Sequence, residues 1–292
     1  MKPIEKSCIG VVANDAGGAN QIFAYLEAHG IIPKFFDLTG PARTHLFNQF
    51  TSNQTQPKNF KFWIDDVDLL LTGTSLTFDG EHNARCLARS KSIFSIAVLD
   101  HWINYPGRFV RNGIRCTPDE IWVTDPYALS KAQSDFKTIP IKLIESSYKN
   151  TIRKLLAPVG EIERHIVAFL TSPAHSDWGN SEPGEFQAIK YFFDNVQKMN
   201  LPKSFHVKFS VHPSESTEKY QNFLGSMNLE TSFDVTSGQL IETISSAKWI
   251  VGLDTYAMTL ALGSGRKIYS CLPPWAPNCR LPHADIVCLA SL

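Results

Sequence analysis

His212, Pro213 and Ser214 close the apolar run FHVKFSV, and charged, helix-compatible residues follow them. An imidazole in that place can hold a ligand's phosphate or simply finish a strand. Five other clusters share the setting, each after an apolar run: Asn14-Asp15-Ala16-Gly17-Gly18, Gly73-Thr74-Ser75, Asp100-His101-Trp102, Thr171-Ser172-Pro173 and Asp254-Thr255. Turns favour Ser, Gly and Asp for backbone reasons alone. Titratable and hydroxylated groups at so many run ends point further, to binding or catalysis. VLDHWINYPGRF is the densest stretch, with Asp100 and His101 followed by Trp102, Asn104, Tyr105 and Arg108. A carboxylate beside an imidazole, walled by aromatics, is a setting in which a general base can be tuned. The structural alternative makes Trp102 and Tyr105 plugs and Asp100 a cap for a backbone N–H.

The remaining clusters carry weaker signals. NDAGGAN precedes a helical pattern, so its free N–H groups can face an anion or a sugar, or merely form a tight turn. It lacks the G-x-G-x-x-G of a dinucleotide site. In TGTSLTFDGEH, Asp79 and Glu81 open a helix, where carboxylates are favoured by the macrodipole alone. Catalysis by Asp79 stays open beside that reading. GLDTYAMTLALGSGRK places Thr255 at a helix start, either as a phosphate contact or as an ordinary N-cap. The Pro-rich tail CLPPWAPNCRLPH displays Trp275 and Arg280.

Positioning these groups falls to a repeating pattern. CIGVVA (8–13), PKFFDL, DLLLTGT (68–74), SIFSIAVLD, EIWVTD (120–125) and IPIKLIES are apolar runs separated by helical periods. After a polar, irregular stretch around 150–164, HIVAFLTS, FHVKFSVH, LETSFDV, KWIVGLD and RKIYSCL repeat the alternation. Such runs predict buried parallel sheets with helices on both faces. The expected fold is α/β, two Rossmann-like domains in tandem: residues 1–155 on the acceptor side and residues 156–292 on the donor side. In such sheets ligands bind at the carboxyl ends of the strands, hence in the cleft between domains.

Composition excludes several classes. The chain has 292 residues, and Lys plus Arg equals Asp plus Glu at 28 each, for a formal net charge of zero. A sequence-independent nucleic-acid binder needs a basic face, so none is expected. No apolar run approaches the roughly 18 residues of a membrane span. The start, MKPIEKSCIGVVANDAGG, lacks the features of a signal peptide. A cytoplasmic protein is expected, at most in peripheral contact with the inner face of a membrane. Six cysteines without a CxxC pair read as small buried hydrophobes rather than as disulfides or zinc ligands.

With these residues in view, the second half resembles the donor-binding domain of GT-B glycosyltransferases. VHPSES is similar to the HP motif of bacterial sialyltransferases and related capsule transferases that use CMP-activated nonulosonic acids. That resemblance implies His212 and Pro213 as the HP pair, with His212 on the CMP phosphate, and Thr255 at the later hydroxyl position. It implies a carboxylate of the first domain as general base, Asp100 first, then Asp15 or Asp79, with His101 or Asp15 holding the acceptor. The donor nucleotide is expected at Thr171, Ser172, His212, Pro213, Ser214, Ser237, Gly238, Asp254 and Thr255. Two departures stand out: Phe78-Asp79-Gly80 carries one acid before the glycine where the family has two, and Asp254-Thr255 replaces a Ser-Ser pair.

The expected activity is inverting, metal-independent transfer of a sugar from a nucleotide donor to a cell-surface glycan, in capsule or lipopolysaccharide biosynthesis. No separate cofactor is expected. A UDP-sugar epimerase or hydrolase, a CDP-alcohol transferase of teichoic type, and a non-enzymatic nucleotide-sugar binding protein remain as alternatives.

Overall fold

The computed structural model describes residues 4–43, 59–76 and 78–292. Thr77, inside the TGTSLTFDGEH stretch, lies outside them. The chain divides into two compact units, Met1–Thr151 and Ile152–Leu292.

The first unit holds β1 (Ile9–Ala13), β2 (Phe35–Leu38), β3 (Leu69–Thr72), β4 (Phe94–Val98), the short β5 (Val110–Arg111) and β6 (Ile114–Arg115), β7 (Glu120–Val123) and β8 (Ile141–Leu143). Six of these strands form one sheet in the order β2-β1-β3-β4-β7-β8, with every pairing parallel. All five residues of β1 are buried, as both faces of a parallel sheet require. Alternate side chains serve opposite faces. Val11 packs with Ile22, Phe23 and Leu26 of the helix Ala16–Ala28. Val12 packs with Trp63, Ala84 and Ala88, the last two on the helix Asp79–Ser90.

The second unit holds β9 (Ile166–Leu170), β10 (His206–Val211), β11 (Ser232–Ser237), β12 (Trp249–Gly252), β13 (Lys267–Ser270) and β14 (Ile286–Cys288). Their order is β11-β10-β9-β12-β13-β14, again wholly parallel. Numbered within the unit this is 3-2-1-4-5-6, the order of doubly wound nucleotide-binding sheets. Phe169 and Phe209 on adjacent strands meet Phe192 and Phe193 of the helix Gly184–Asn195. In each sheet the strand order reverses once, between β1 and β3 and between β9 and β12, so each has a switch point where its crevice opens.

Three local expectations are corrected. Residues 150–164 are not irregular throughout, because Ser147–Leu155 forms an amphipathic helix with Arg153 and Lys154 in its last turn. That helix carries the division between the units, which falls just ahead of the expected 155/156 boundary. The segment after Thr255 forms a 3-10 helix, Tyr256–Ala261, cut short by the turn at Gly263 and Gly265, both at positive φ. The antiparallel pair β5–β6 was not anticipated, although Asn112-Gly113, with φ of 49° and 77°, is a strong two-residue hairpin signal. Among the described residues no helix is long and apolar enough to cross a membrane, and all six cysteines are free thiols.

Gly10 shows how tightly the first sheet is covered. A Cβ there would lie 2.1 Å from the ring of Trp63, which itself stacks on Phe35 at 5.6 Å. Gly10→Ala is expected to destabilise the protein by about 1–3 kcal/mol through overpacking, read as a lower midpoint of urea unfolding with an unchanged slope.

Candidate functional site

At the carboxyl ends of the first sheet, Glu81 occupies the switch point. Its Oε1 accepts the N–H of Asn14, after β1, at 2.9 Å, and its Oε2 accepts that of Ser75, after β3, at 2.5 Å. The residue is 1% exposed, and a Cβ on Gly73 would come within 2.5 Å of Oε1. Burial raises the Glu81 carboxyl to about 7, against the opposing influence of Arg85 and the two N–H bonds. Arg85, one turn further along the helix, is also buried and donates to Thr72 Oγ1 at 2.9 Å and to the Gly73 carbonyl at 3.1 Å. Burial lowers its guanidinium to about 10. Glu81 therefore acts beyond the helix dipole: it holds two strand-end loops together.

The expected bases separate by environment. Asp100 is buried, lies 3.7 Å from Arg108 Nη1, and sets one oxygen where a Cβ on Gly17 would stand. That oxygen lies against the first turn of the helix Ala16–Ala28, which favours the tight-turn reading of NDAGGAN over an anion site there. Arg108 donates to the Thr74 carbonyl at 2.7 Å, which ties the HWINYPGRF loop to the end of β3. Trp102 is buried and donates to both oxygens of Asp125, and Tyr105 is fully buried. These aromatics serve as plugs, the structural alternative. His101 is half-buried with its ring edge-on to Trp102 at 6.5 Å.

Asp79 is exposed and pairs with Arg111 at 3.2 Å. Asp15 stands at the N-cap position of the helix Ala16–Ala28 yet makes no capping bond. It stays half-buried and accepts from Asn14 Nδ2 at 2.8 Å. Of the three expected bases, Asp15 alone stands at a strand end, partly open, and in no ion pair among the described residues.

The second sheet gathers a different chemistry. Nδ1 of His212 accepts the backbone N–H of Ser214 at 3.2 Å and lies 2.7 Å from its Oγ. An Nδ1 that accepts an N–H carries no proton, so the neutral ring bears its hydrogen on Nε2 as a donor. Burial holds the imidazole below its ordinary value, with His175 adding to the effect and Glu215 opposing it. The ring is thus a neutral N–H donor at neutral pH. The His212 N–H itself donates to Thr171 Oγ1 at 3.0 Å, which joins the loops after β9 and β10.

Thr171 is buried and its hydroxyl oxygen takes the N–H at that joint, so it supports the loop. Ser172 beside it is half-buried, while Pro213 and Ser214 are exposed. Ser237 and Gly238 are exposed at the end of β11, Gly238 at a φ of 75°. Asp254 is paired with Arg280, at 2.8 Å for Nη2 to Oδ1, and Thr255 caps the following turn through the Ala257 N–H at 3.4 Å. Thr171, His212 and Ser214 are brought into one cluster; Asp254 and Thr255 lie beyond the switch point at the end of β12, and Ser237 and Gly238 at the edge strand.

The sequence places Glu81 at a helix start but leaves its loop-joining role unassigned, along with Arg85, Glu215, Lys219 and Glu185. Glu81 and Arg85 are visible as an E-x-x-x-R spacing at a helix start, and Glu215 and Lys219 have the same interval. Glu185, which joins Lys219, gives no local signal. An Asp-x-Asp spacing is present, Asp66-Val67-Asp68, which the expectation of a metal-independent reaction took to be absent. It lies at the amino end of β3, where Asp68 accepts the Cys8 N–H at 3.1 Å. Among the described residues no group of three or more His, Cys, Asp or Glu is arranged to hold a metal ion.

No protein-family model matches the chain, and no curated protein matches its sequence. Solved structures do. UDP-GlcNAc 2-epimerase from Neisseria meningitidis bound to UDP-GlcNAc is similar with a TM-score of 0.61 and 11% identity, over 90% of this chain and 82% of that one. HepE from Anabaena in complex with UDP-glucose gives 0.55 and 9%, over 89% and 80%. MurG from Acinetobacter baumannii gives 0.52 and 12%, over 97% and 86%. At these identities the likeness establishes the fold: a two-domain α/β architecture of GT-B type.

Glu81 generates a testable pH dependence. An acid whose pKa is raised on folding, here from 4.5 to about 7, stabilises the fold fully below 4.5, and that contribution is lost as pH rises through 7. Between those values the stability of the wild type is expected to fall by on the order of 3 kcal/mol. Glu81→Gln removes this dependence, which a series of urea melts across the window measures.

Proposed function

We propose that the chain is a glycosyltransferase that uses a nucleotide-activated sugar, and the observation that carries this is the His212 ring after β10, whose Nδ1 takes the Ser214 N–H and leaves Nε2 as the donor. A neutral N–H donor at the carboxyl end of a doubly wound sheet suits the charge that develops on a departing phosphate. The second unit would hold the nucleotide through His212 and Ser214, with Asp254 and Thr255 at the next strand end past the switch point. The first unit would supply the base. Asp15 accepts the proton of the acceptor hydroxyl as that oxygen bonds to the anomeric carbon, and the bond from that carbon to the phosphate oxygen breaks. The nucleotide leaves with the bonding electrons, and the anomeric configuration inverts.

The donor nucleotide is where two lines of support differ. The His212-Pro213 pair favours a CMP-activated nonulosonic acid, on two residues. The ligands of the fold relatives favour uridine diphosphate, since the N. meningitidis epimerase holds UDP-GlcNAc and HepE holds UDP-glucose. We adopt a UDP-sugar. The same relatives support a second reading, epimerisation of a UDP-sugar without acceptor.

Isothermal titration with UDP, CMP and CDP tests the donor, with UDP expected to bind tightest; CMP binding alone would restore the sialyltransferase form. Asp15→Asn is expected to lower kcat by about a hundredfold or more while UDP affinity is retained. Loss of turnover in Asp100→Asn, with Asp15→Asn fully active, would move the base to Asp100. Conversion of UDP-GlcNAc to its C2 epimer with no acceptor present, followed by NMR, would replace transfer with epimerisation.

A further inference from the structure

His212 does not hold its position alone. Behind it, Thr171 Oγ1 accepts the His212 N–H, and the phenol of Tyr220 lies close to the Thr171 hydroxyl. Tyr220 is fully buried and donates to Glu215 Oε2 at 2.5 Å. The other oxygen of Glu215 accepts from Lys219 at 2.6 Å, and Lys219 also bonds Glu185. Glu185 accepts the Ala174 N–H at 3.2 Å, returning the chain of bonds to the loop after β9. The Glu215 N–H closes the turn on the His212 carbonyl at 2.9 Å.

Thr171 accepts the His212 N–H, and the hydrogen of Tyr220 goes to Glu215. Glu215 in turn has its negative charge met by Lys219. The network links the helices Gly184–Asn195 and Thr217–Ser226 to both strand-end loops flanking His212. Lys219 is shared by two carboxylates, so the group keeps one negative charge and offers a ligand's phosphate nothing directly.

We infer that Tyr220, Thr171 and the Glu215–Lys219–Glu185 triad are positioning residues that set where the His212 Nε2–H donor stands, and so set the affinity of this site for a nucleotide's phosphate. Buried hydroxyl networks of this kind have one satisfied arrangement, and removing a single hydroxyl leaves its partners unpaired. The inference rests on the proposed role of His212.

UDP titration and donor kinetics on Tyr220→Phe, Thr171→Val, Thr171→Ser and His212→Ala test it. Tyr220→Phe and Thr171→Val each remove one hydroxyl at nearly constant shape. Each is expected to weaken UDP binding and raise the donor KM by about tenfold, with a smaller change in kcat and a melting temperature that shows a folded protein. Thr171→Ser keeps the hydroxyl and is expected to bind like the wild type. If His212→Ala weakens UDP binding while Tyr220→Phe and Thr171→Val leave it unchanged, the positioning network is refuted and the role of His212 stands. The inference is equally refuted if Thr171→Ser loses as much affinity as Thr171→Val. If His212→Ala binds UDP as the wild type does, or the wild type binds none, the role of His212 falls and the network's function with it.

Discussion

A parallel sheet ends all its strands on one edge, and the loops that leave that edge carry backbone N–H groups that need acceptors. In this chain buried side chains meet that need, and the two units meet it with different chemistry. In the first, one carboxylate, Glu81, takes an N–H from the loop after β1 and another from the loop after β3. In the second, a hydroxyl, Thr171, takes the N–H of His212. The carboxylate is charged and carries a desolvation cost that raises its pKa to about 7. The hydroxyl is neutral, so its burial costs less, and the charge of its network sits further back, on Glu215, Lys219 and Glu185. The second loop pair is consequently held without titration near neutrality, which suits a site that must keep a phosphate donor oriented.

The same contrast explains why the carboxylates of the first unit differ in what they can do. Asp100 stands where sequence reasoning placed a base, directly after an apolar strand. Its surroundings are those of a counterion: Arg108 on one side and the glycine start of a helix on the other. A buried charge in such company costs free energy if its partner is lost, and it has little room to take a proton from a bulky acceptor. Asp15 lacks that packing. An aspartate at an N-cap position that leaves the cap unmade forgoes about 1 kcal/mol of helix stability, which turns attention to what else its carboxylate contacts.

Much of the architecture was legible. Continuous apolar runs such as IGVVA and IVAFL, alternating with helical periods, require strands covered on both faces, and both sheets are wholly parallel. His212 was legible as a strand-end residue because Pro213 stops the run. What the chain order conceals is pairing across distance. Glu81 lies 67 residues from Asn14, and Glu185 lies 34 from Lys219, so neither partnership leaves a local pattern. The tautomer of His212 is an intermediate case. Ser214 two residues on is visible, but only the turn geometry shows that its N–H points at Nδ1. The division of labour between Trp102, Tyr105 and Asp100 depended on burial, which residue types alone do not set.

The central claim is that His212 presents a neutral Nε2–H donor to a nucleotide's phosphate. Nitrogen-15 NMR of the histidine side chains, with His212 assigned by its absence from a His212→Gln variant, reads this directly. The account predicts an unprotonated Nδ1 and a protonated Nε2 at neutral pH, with the Nε2 resonance moving when UDP is added and the tautomer retained. A proton on Nδ1 in the free protein, or an Nε2 resonance unmoved by saturating UDP, would contradict it.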